Sequence, residues 1–111
     1  MSDASRRVQR VQKELNNIIA NYLRSNWKGP CPGLLSVAHV DVMPDMRSAK
    51  VFVSVISTEE DAVELFQELI DDQRGEIQQH LAKSLRMKFY PKLSFKVGTY
   101  GELPISQEKP E

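Results

Sequence analysis

Leu65 to Phe95, LFQELIDDQRGEIQQHLAKSLRMKFYPKLSF, is the stretch that most constrains this chain. Two amphipathic helical patterns meet there at one glycine, Gly75. Glycine inside a helix costs about 1 kcal/mol relative to alanine. A lone glycine between two helical patterns, with no other loop residue, predicts a kink made on purpose. The second pattern gathers basic residues, with Ile77, Leu81, Leu85 and Phe89 as its apolar face, and stops at Pro91, which cannot continue a helix. Leu93, Phe95 and Val97 then alternate as a strand.

Upstream, Ser5 is placed to cap a first helix whose apolar stripe is Val8, Val11, Leu15, Ile18, Ile19 and Tyr22. Its opposite face carries Arg6, Arg10, Lys13, Asn17 and Arg24, and it ends near Arg24 ahead of Gly29-Pro30-Cys31-Pro32-Gly33. Leu35 to Met43 reads as a strand in which Ala38, Val40 and Val42 share one phase and Leu35 and Val37 the other. A bulge near Val37-Ala38 would bring both sets to one face. After a turn at Pro44 to Ser48, Ala49, Val51, Val53 and Val55 alternate with Lys50, Phe52, Ser54 and Ile56, and the two strands are expected to form a hairpin. Ser57 and Glu60 have the spacing of a capping box for a helix buried through Ala62, Val63, Phe66, Leu69 and Ile70. The predicted order is α-β-β-α-α-β. This is an α+β domain over residues 1–98, two layers around one core, followed by a loose tail at 99–111.

The 111 residues suffice for one domain with a modest core. The single cysteine, Cys31, can form no internal bridge, and the N-terminus lacks the apolar core of a signal peptide, so a cytoplasmic location is expected. No apolar run approaches a membrane span. Formal net charge is zero, but its distribution is uneven. Residues 1–50 hold eight bases and four acids, 51–73 hold seven acids and no base, and 74–98 hold six bases and one acid. A positive face of this kind can bind phosphate whatever the total.

Signals for catalysis or metal binding are weak. Cys31 has no histidine nearby, His39 and His80 make no ligand spacing, and Glu59-Glu60 and Asp71-Asp72 read as solvated charges at helix termini. No cofactor is expected. The basic elements carry more. At 100° per residue, Gly75, Gln79, Lys83 and Arg86 fall on one exposed stripe opposite Leu81, with Arg74 at the helix start and Lys88 near its end. A helix N-terminus attracts phosphate, and a glycine permits close backbone approach. Gln78 and Gln79 can hydrogen-bond bases or sugars. Basic residues near a helix C-terminus also complement the dipole, but with Arg6, Arg10, Lys13 and Arg24 the set is better explained by RNA binding. No aromatic stacking set is exposed on a strand, so recognition by single-base stacking is not favoured.

These residues are similar to the ribosome-binding factor A family. The resemblance runs from about Ser5 to Val97. It is carried by Arg6-Arg7-Val8-x-x-Val11, Ile18-Ile19, Ala49-Lys50-Val51-Phe52-Val53-Ser54 and LAKSLRMKFYPKLSF at 81–95, above all Leu85, Arg86, Pro91, Leu93 and Phe95 at their offsets. The resemblance implies a type II KH-like fold whose Gly-x-x-Gly loop is replaced by an Ala-x-Gly kink. Here the kink aligns with Gln73-Arg74-Gly75, so Gln73 stands where the family has alanine and implies altered local packing. The ending GELPISQEKPE lacks the apolar or basic character of the family's usual extension. No strong extra apolar stripe is visible, so a monomer is expected. The resemblance further implies a protein that binds the small ribosomal subunit and its 16S rRNA during late assembly. It would promote processing of the precursor rRNA 5′ end without being a nuclease, and support growth in the cold. No membrane or small-molecule partner is implied. Two alternatives stay open: a general KH-like single-stranded RNA binder, and a protein-interaction module working through the acidic second helix.

Overall fold

The apolar stripe Val11, Leu15, Ile19 and Tyr22 is buried along one side of a 23-residue helix, α1 (Asp3–Ser25). The computed structural model describes residues 3–31, 33–85 and 90–99, the first three as backbone only. The helix begins at Asp3, so Ser5 lies inside it rather than capping it. After Ser25 the chain turns through Gly29 at φ 106°, a left-handed conformation open to glycine. Trp27 anchors this loop: its ring lies 5.8 Å from that of Phe66, and its indole N–H donates to the Pro30 carbonyl at 3.1 Å.

Strands β1 (Leu34–Val42) and β2 (Ser48–Ile56) form the expected antiparallel hairpin. The register shifts between Val37 and His39, leaving Ala38 as the extra residue. Because of that bulge, Leu35, Val37, Val40 and Val42 all pair with the inward residues Val55, Val53, Val51 and Ala49. The conflict of phase in the sequence is thus resolved where it was expected. In the connecting turn Met46 adopts φ 61°, unusual for a side chain with a Cβ, and packs against the core.

Helix α2 (Ala62–Asp72) starts later than the capping-box spacing predicted. The Ser57 hydroxyl accepts the Glu59 N–H at 3.0 Å, two residues on, and the helix N-cap, Asp61, makes no side-chain cap bond. A serine can bond the nearest backbone N–H in a tight local turn, and here that competes with the box. Helix α3 (Arg74–Ser84) follows after one intervening residue, Gln73. The break therefore falls at Gln73, and Gly75 is the second residue of α3, a correction to the glycine kink. Helix α3 also ends well before Pro91, because Leu85 turns extended (φ −100°, ψ 128°) while staying buried.

Strand β3 (Lys92–Thr99) pairs parallel to β2, giving the sheet order β1-β2-β3. Leu93, Phe95 and Val97 join the inward β1 and β2 residues beneath the three helices in one apolar core. The β3 edge of the sheet is sealed by glutamine amides. Gln78 donates to the Pro91 carbonyl at 2.7 Å and accepts the Leu93 N–H at 3.1 Å. Gln67 bridges the Phe95 carbonyl (3.0 Å) and the Val97 N–H (2.8 Å). Across the sheet, Gln12 accepts the Val42 N–H at 3.1 Å. An amide side chain carries one donor and one acceptor group, so Gln67 and Gln78 satisfy the β3 edge as a neighbouring strand would and block strand addition there. Among the described residues no helix is long and apolar enough to cross a membrane.

Candidate nucleic-acid interface

The junction between α2 and α3 is built around a buried amide. Gln73 Oε1 accepts from the Tyr22 hydroxyl at 3.0 Å and from the Lys28 N–H at 3.2 Å, and Nε2 donates to the Lys28 carbonyl at 2.7 Å. One side chain thus ties the kink to the end of α1 and to the loop beyond it. The larger residue foreseen at this position changes the packing by stapling rather than by crowding. Beside it Glu76 accepts from Tyr22 at 3.2 Å and pairs with Lys28 at 2.9 Å. The hydrogen bond and charge of Lys28 hold the Glu76 carboxyl below its ordinary range, while burial, then the Glu76 carboxylate, push the Tyr22 hydroxyl up. Tyr22 also meets the His80 ring edge-on at 5.8 Å, which locks α1 against α3.

An open hollow of about 420 Å³ lies at the start of α3, lined by Arg74, Gly75, Gln78, Tyr90 and Lys92. A Cβ at Gly75 would meet nothing within 4 Å. The glycine is therefore not required by the protein's own packing, and the space above it is free for a ligand backbone. Gln78 is not free to read bases, since its amide is consumed by β3. The first turn of α3 already carries a carboxylate, Glu76, itself neutralised by Lys28.

The structure brings Arg74 and Gly75 together in this hollow and adds Tyr90 and Lys92 to them. Gln79 and Lys83 are exposed along α3. Arg6, Arg10 and Lys13 are exposed on α1, where Lys13 also lines a separate cleft of about 270 Å³ with Gln9, Gln12, Asn16, Asn17, His39 and Val40. Arg86 and Lys88 fall outside the described residues, as does the tail from residue 100. Among the described residues Lys28–Glu76 is the sole salt bridge, so Arg6, Arg10, Lys13, Arg74 and Lys83 have no acidic partner within the fold. Among the described residues no group of three His, Cys, Asp or Glu side chains is placed to hold a metal ion.

The sheet adds a pairing that the sequence did not show. Its uncovered face carries an aromatic pair: His39 and Phe52 stand opposite each other across β1 and β2, ring centroids 5.9 Å apart and 28° from parallel. Lys50 Nζ lies 5.9 Å from the Phe52 centroid. The alternation marked Phe52 as outward-facing, but the bulge decides that His39 is the residue it meets.

The family model for ribosome-binding factor A matches residues 7–102. The chain is 38% identical over 104 residues to ribosome-binding factor A of Bdellovibrio bacteriovorus, covering 94% of this chain and 77% of that protein. It superposes on the crystal structure of ribosome-binding factor A from Thermus thermophilus with TM-score 0.66 at 22% identity, covering 81% of this chain and 93% of the other. A homology model of the Thermus thermophilus factor, fitted into the cryo-EM map of its complex with 30S, gives TM-score 0.61 at 24% identity and covers 84% and 89%. The fold is that of a type II KH-like domain.

Proposed function

The chain belongs to the ribosome-binding factor A family, and from that premise we propose that it binds the small ribosomal subunit through 16S rRNA and assists its late maturation. The observation that carries this reading is the set of unpaired cations on α1 and α3: Arg6, Arg10, Lys13, Arg74 and Lys83 are exposed with no acidic partner among the described residues. Cations left unpaired by the fold are free to displace counterions from phosphate, the dominant source of affinity for RNA backbones. Arg74 and Lys92 flank the hollow above Gly75, where an RNA backbone can approach closely. Arg86 and Lys88 belong to the same proposed contact set.

The protein acts here by binding, not by cleavage. It holds an rRNA junction in one arrangement while nucleases process the precursor 5′ end. That action requires different affinities for immature and mature subunits, since a ligand shifts an equilibrium only by its differential affinity. The test is co-sedimentation of the protein with immature and mature small subunits, and with large subunits, at low and moderate salt. Salt-sensitive binding to small subunits alone, tighter for immature ones, is the expected result. Equal affinity for immature and mature subunits would remove the maturation mechanism, and no binding to small subunits would remove the reading altogether.

A further inference from the structure

We propose that the uncovered face of the sheet is a second RNA contact, a stacking platform for a short single-stranded segment. This deepens the reading above and rests on it, since the segment is taken to belong to the bound rRNA. The three helices cover one face of the sheet. On the other, one row runs across all three strands in register as His39, Phe52 and Lys96. The next row is Asp41, Lys50 and Ser94. An aromatic residue thus stands at the centre of the central strand, with a second ring beside it and ammonium groups on two sides.

The rings are available in a way that a core aromatic is not. Phe52 and His39 are half-buried, unlike Phe66 and Phe95 within the core. The Nδ1 of His39 is buried with no hydrogen-bond partner, so packing alone holds that ring. Lys50 Nζ lies at the outer limit of a cation–π contact with Phe52 and can swing from the ring to a phosphate. Lys50, Lys92 and Lys96 are exposed on this face and, among the described residues, form no salt bridge, with Asp41 the one acid beside them in register. Excess positive charge around two rings is complementary to a nucleotide, whose phosphate is anionic and whose base has a π-face. Base–aromatic stacking tolerates any sequence, so the platform suits a single strand held for its position rather than its sequence.

The test uses the full-length chain and the oligonucleotide rU8, with binding followed by fluorescence anisotropy at two salt concentrations. Amide NMR shifts locate the contact, and Phe52→Leu, Phe52→Tyr and a Lys50→Gln/Lys96→Gln pair probe it. The expected result is shifts centred on His39 and Phe52. Phe52→Leu should weaken rU8 by about tenfold with its melting temperature checked, and Phe52→Tyr should bind nearly as the native chain does. The lysine pair should lower the salt slope by about 0.7 for each phosphate no longer neutralised. The lysine variants and the shift map stand even if Phe52→Leu folds poorly. Native-like rU8 binding by a folded Phe52→Leu variant, or shifts confined to α1 and α3, would overturn the proposal. So would concentration-dependent self-association through this face that excludes rU8, with the exposed Leu34 and Ile56 meeting a second copy. A native chain that co-sediments with small subunits but leaves His39 and Phe52 unmoved by rU8 defeats this inference alone. A chain that binds no subunit defeats the reading beneath it as well.

Discussion

The α2–α3 junction and the basic faces of α1 and α3 are built from similar polar side chains, yet they use them in opposite ways. At the junction the polar side chains find partners inside the molecule. Gln73 makes three hydrogen bonds, the Tyr22 hydroxyl shares its one proton between Gln73 and Glu76, and Lys28 finds Glu76. On the basic faces, Arg10, Lys13, Arg74 and Lys83 form no salt bridge among the described residues, and none of these would meet a Cβ at Gly75 within 4 Å. The difference separates polar residues that define the fold from those left for a partner. It also predicts that substitutions in the two regions will act on different observables.

The largest effect is expected where the contrast is sharpest. Reversing Arg10, Lys13 and Lys83 together to glutamate should weaken small-subunit binding by about a hundredfold and flatten its salt dependence. Stability should move by no more than about 1 kcal/mol, because exposed charges contribute little to folding. Co-sedimentation and thermal melting of the same preparation separate the two. Retained binding would mean that the unpaired cations merely solvate the surface, and would move attention to the acidic α2. Gln73→Ala is the converse experiment. It leaves the Tyr22 hydroxyl with Glu76 alone and removes the side-chain partner of both Lys28 backbone groups, and should cost about 2 kcal/mol in urea unfolding. The salt slope of RNA binding should not change. A salt slope that falls with Gln73→Ala would show that the junction and the basic faces are one unit rather than two.

The same contrast explains which parts were legible in the sequence. Apolar period is a local property, so the stripe of α1, the hairpin and the core residues of α2 were all readable, and even the bulge followed from Leu35 and Val37 being out of phase with Val40 and Val42. The clamp was not readable, because it depends on a loop arriving from 45 residues away: nothing in Gln73 itself says that it will meet Lys28. Gly75 attracted the kink because glycine is the weakest helix former in view. The actual break at Gln73 is held by those remote hydrogen bonds instead. The edge-sealing roles of Gln67 and Gln78 were hidden for the same reason, since a glutamine on a helix looks alike whether it faces water or a strand edge. Of the predicted interface, exposure was legible in the helical phase of Arg10, Lys13, Gln79 and Lys83. The joining of Tyr90 and Lys92 to Arg74 was not, because it needs α3 laid against β3.

Gly75→Ala sharpens the comparison at a single atom. An added Cβ meets nothing in the protein, and alanine is the better helix former, so the variant should be stabilised by about 0.5–1 kcal/mol. If the glycine serves an RNA backbone that closes on the hollow, the same variant should bind small subunits more weakly. Higher melting temperature with unchanged binding would assign the open space above Gly75 to solvent.

The smallest effect concerns the one cation that the junction captures. Lys28 and Glu76 are both well exposed, at 66% and 52% of their side-chain surface, so their pair is screened and its contribution is modest. Its sign is nevertheless fixed. Lys28 holds the Glu76 carboxyl below its ordinary value, so the pair stabilises the fold above the ordinary carboxylate range and loses that contribution as pH falls through the depressed value. Lys28→Ala should therefore flatten the fall in melting temperature on the acid side while sparing the Gln73 bonds, which use only the Lys28 backbone. On the alkaline side the raised Tyr22 value acts in the opposite sense. Its contribution is whole below the ordinary tyrosine range and disappears as pH rises through the raised value, and Tyr22→Phe should remove that alkaline dependence. An acid limb unchanged by Lys28→Ala would mean that Glu76 is held by Tyr22 alone. Lys28 would then join the unpaired cations, and the division between junction and basic face would run through that residue instead of beside it.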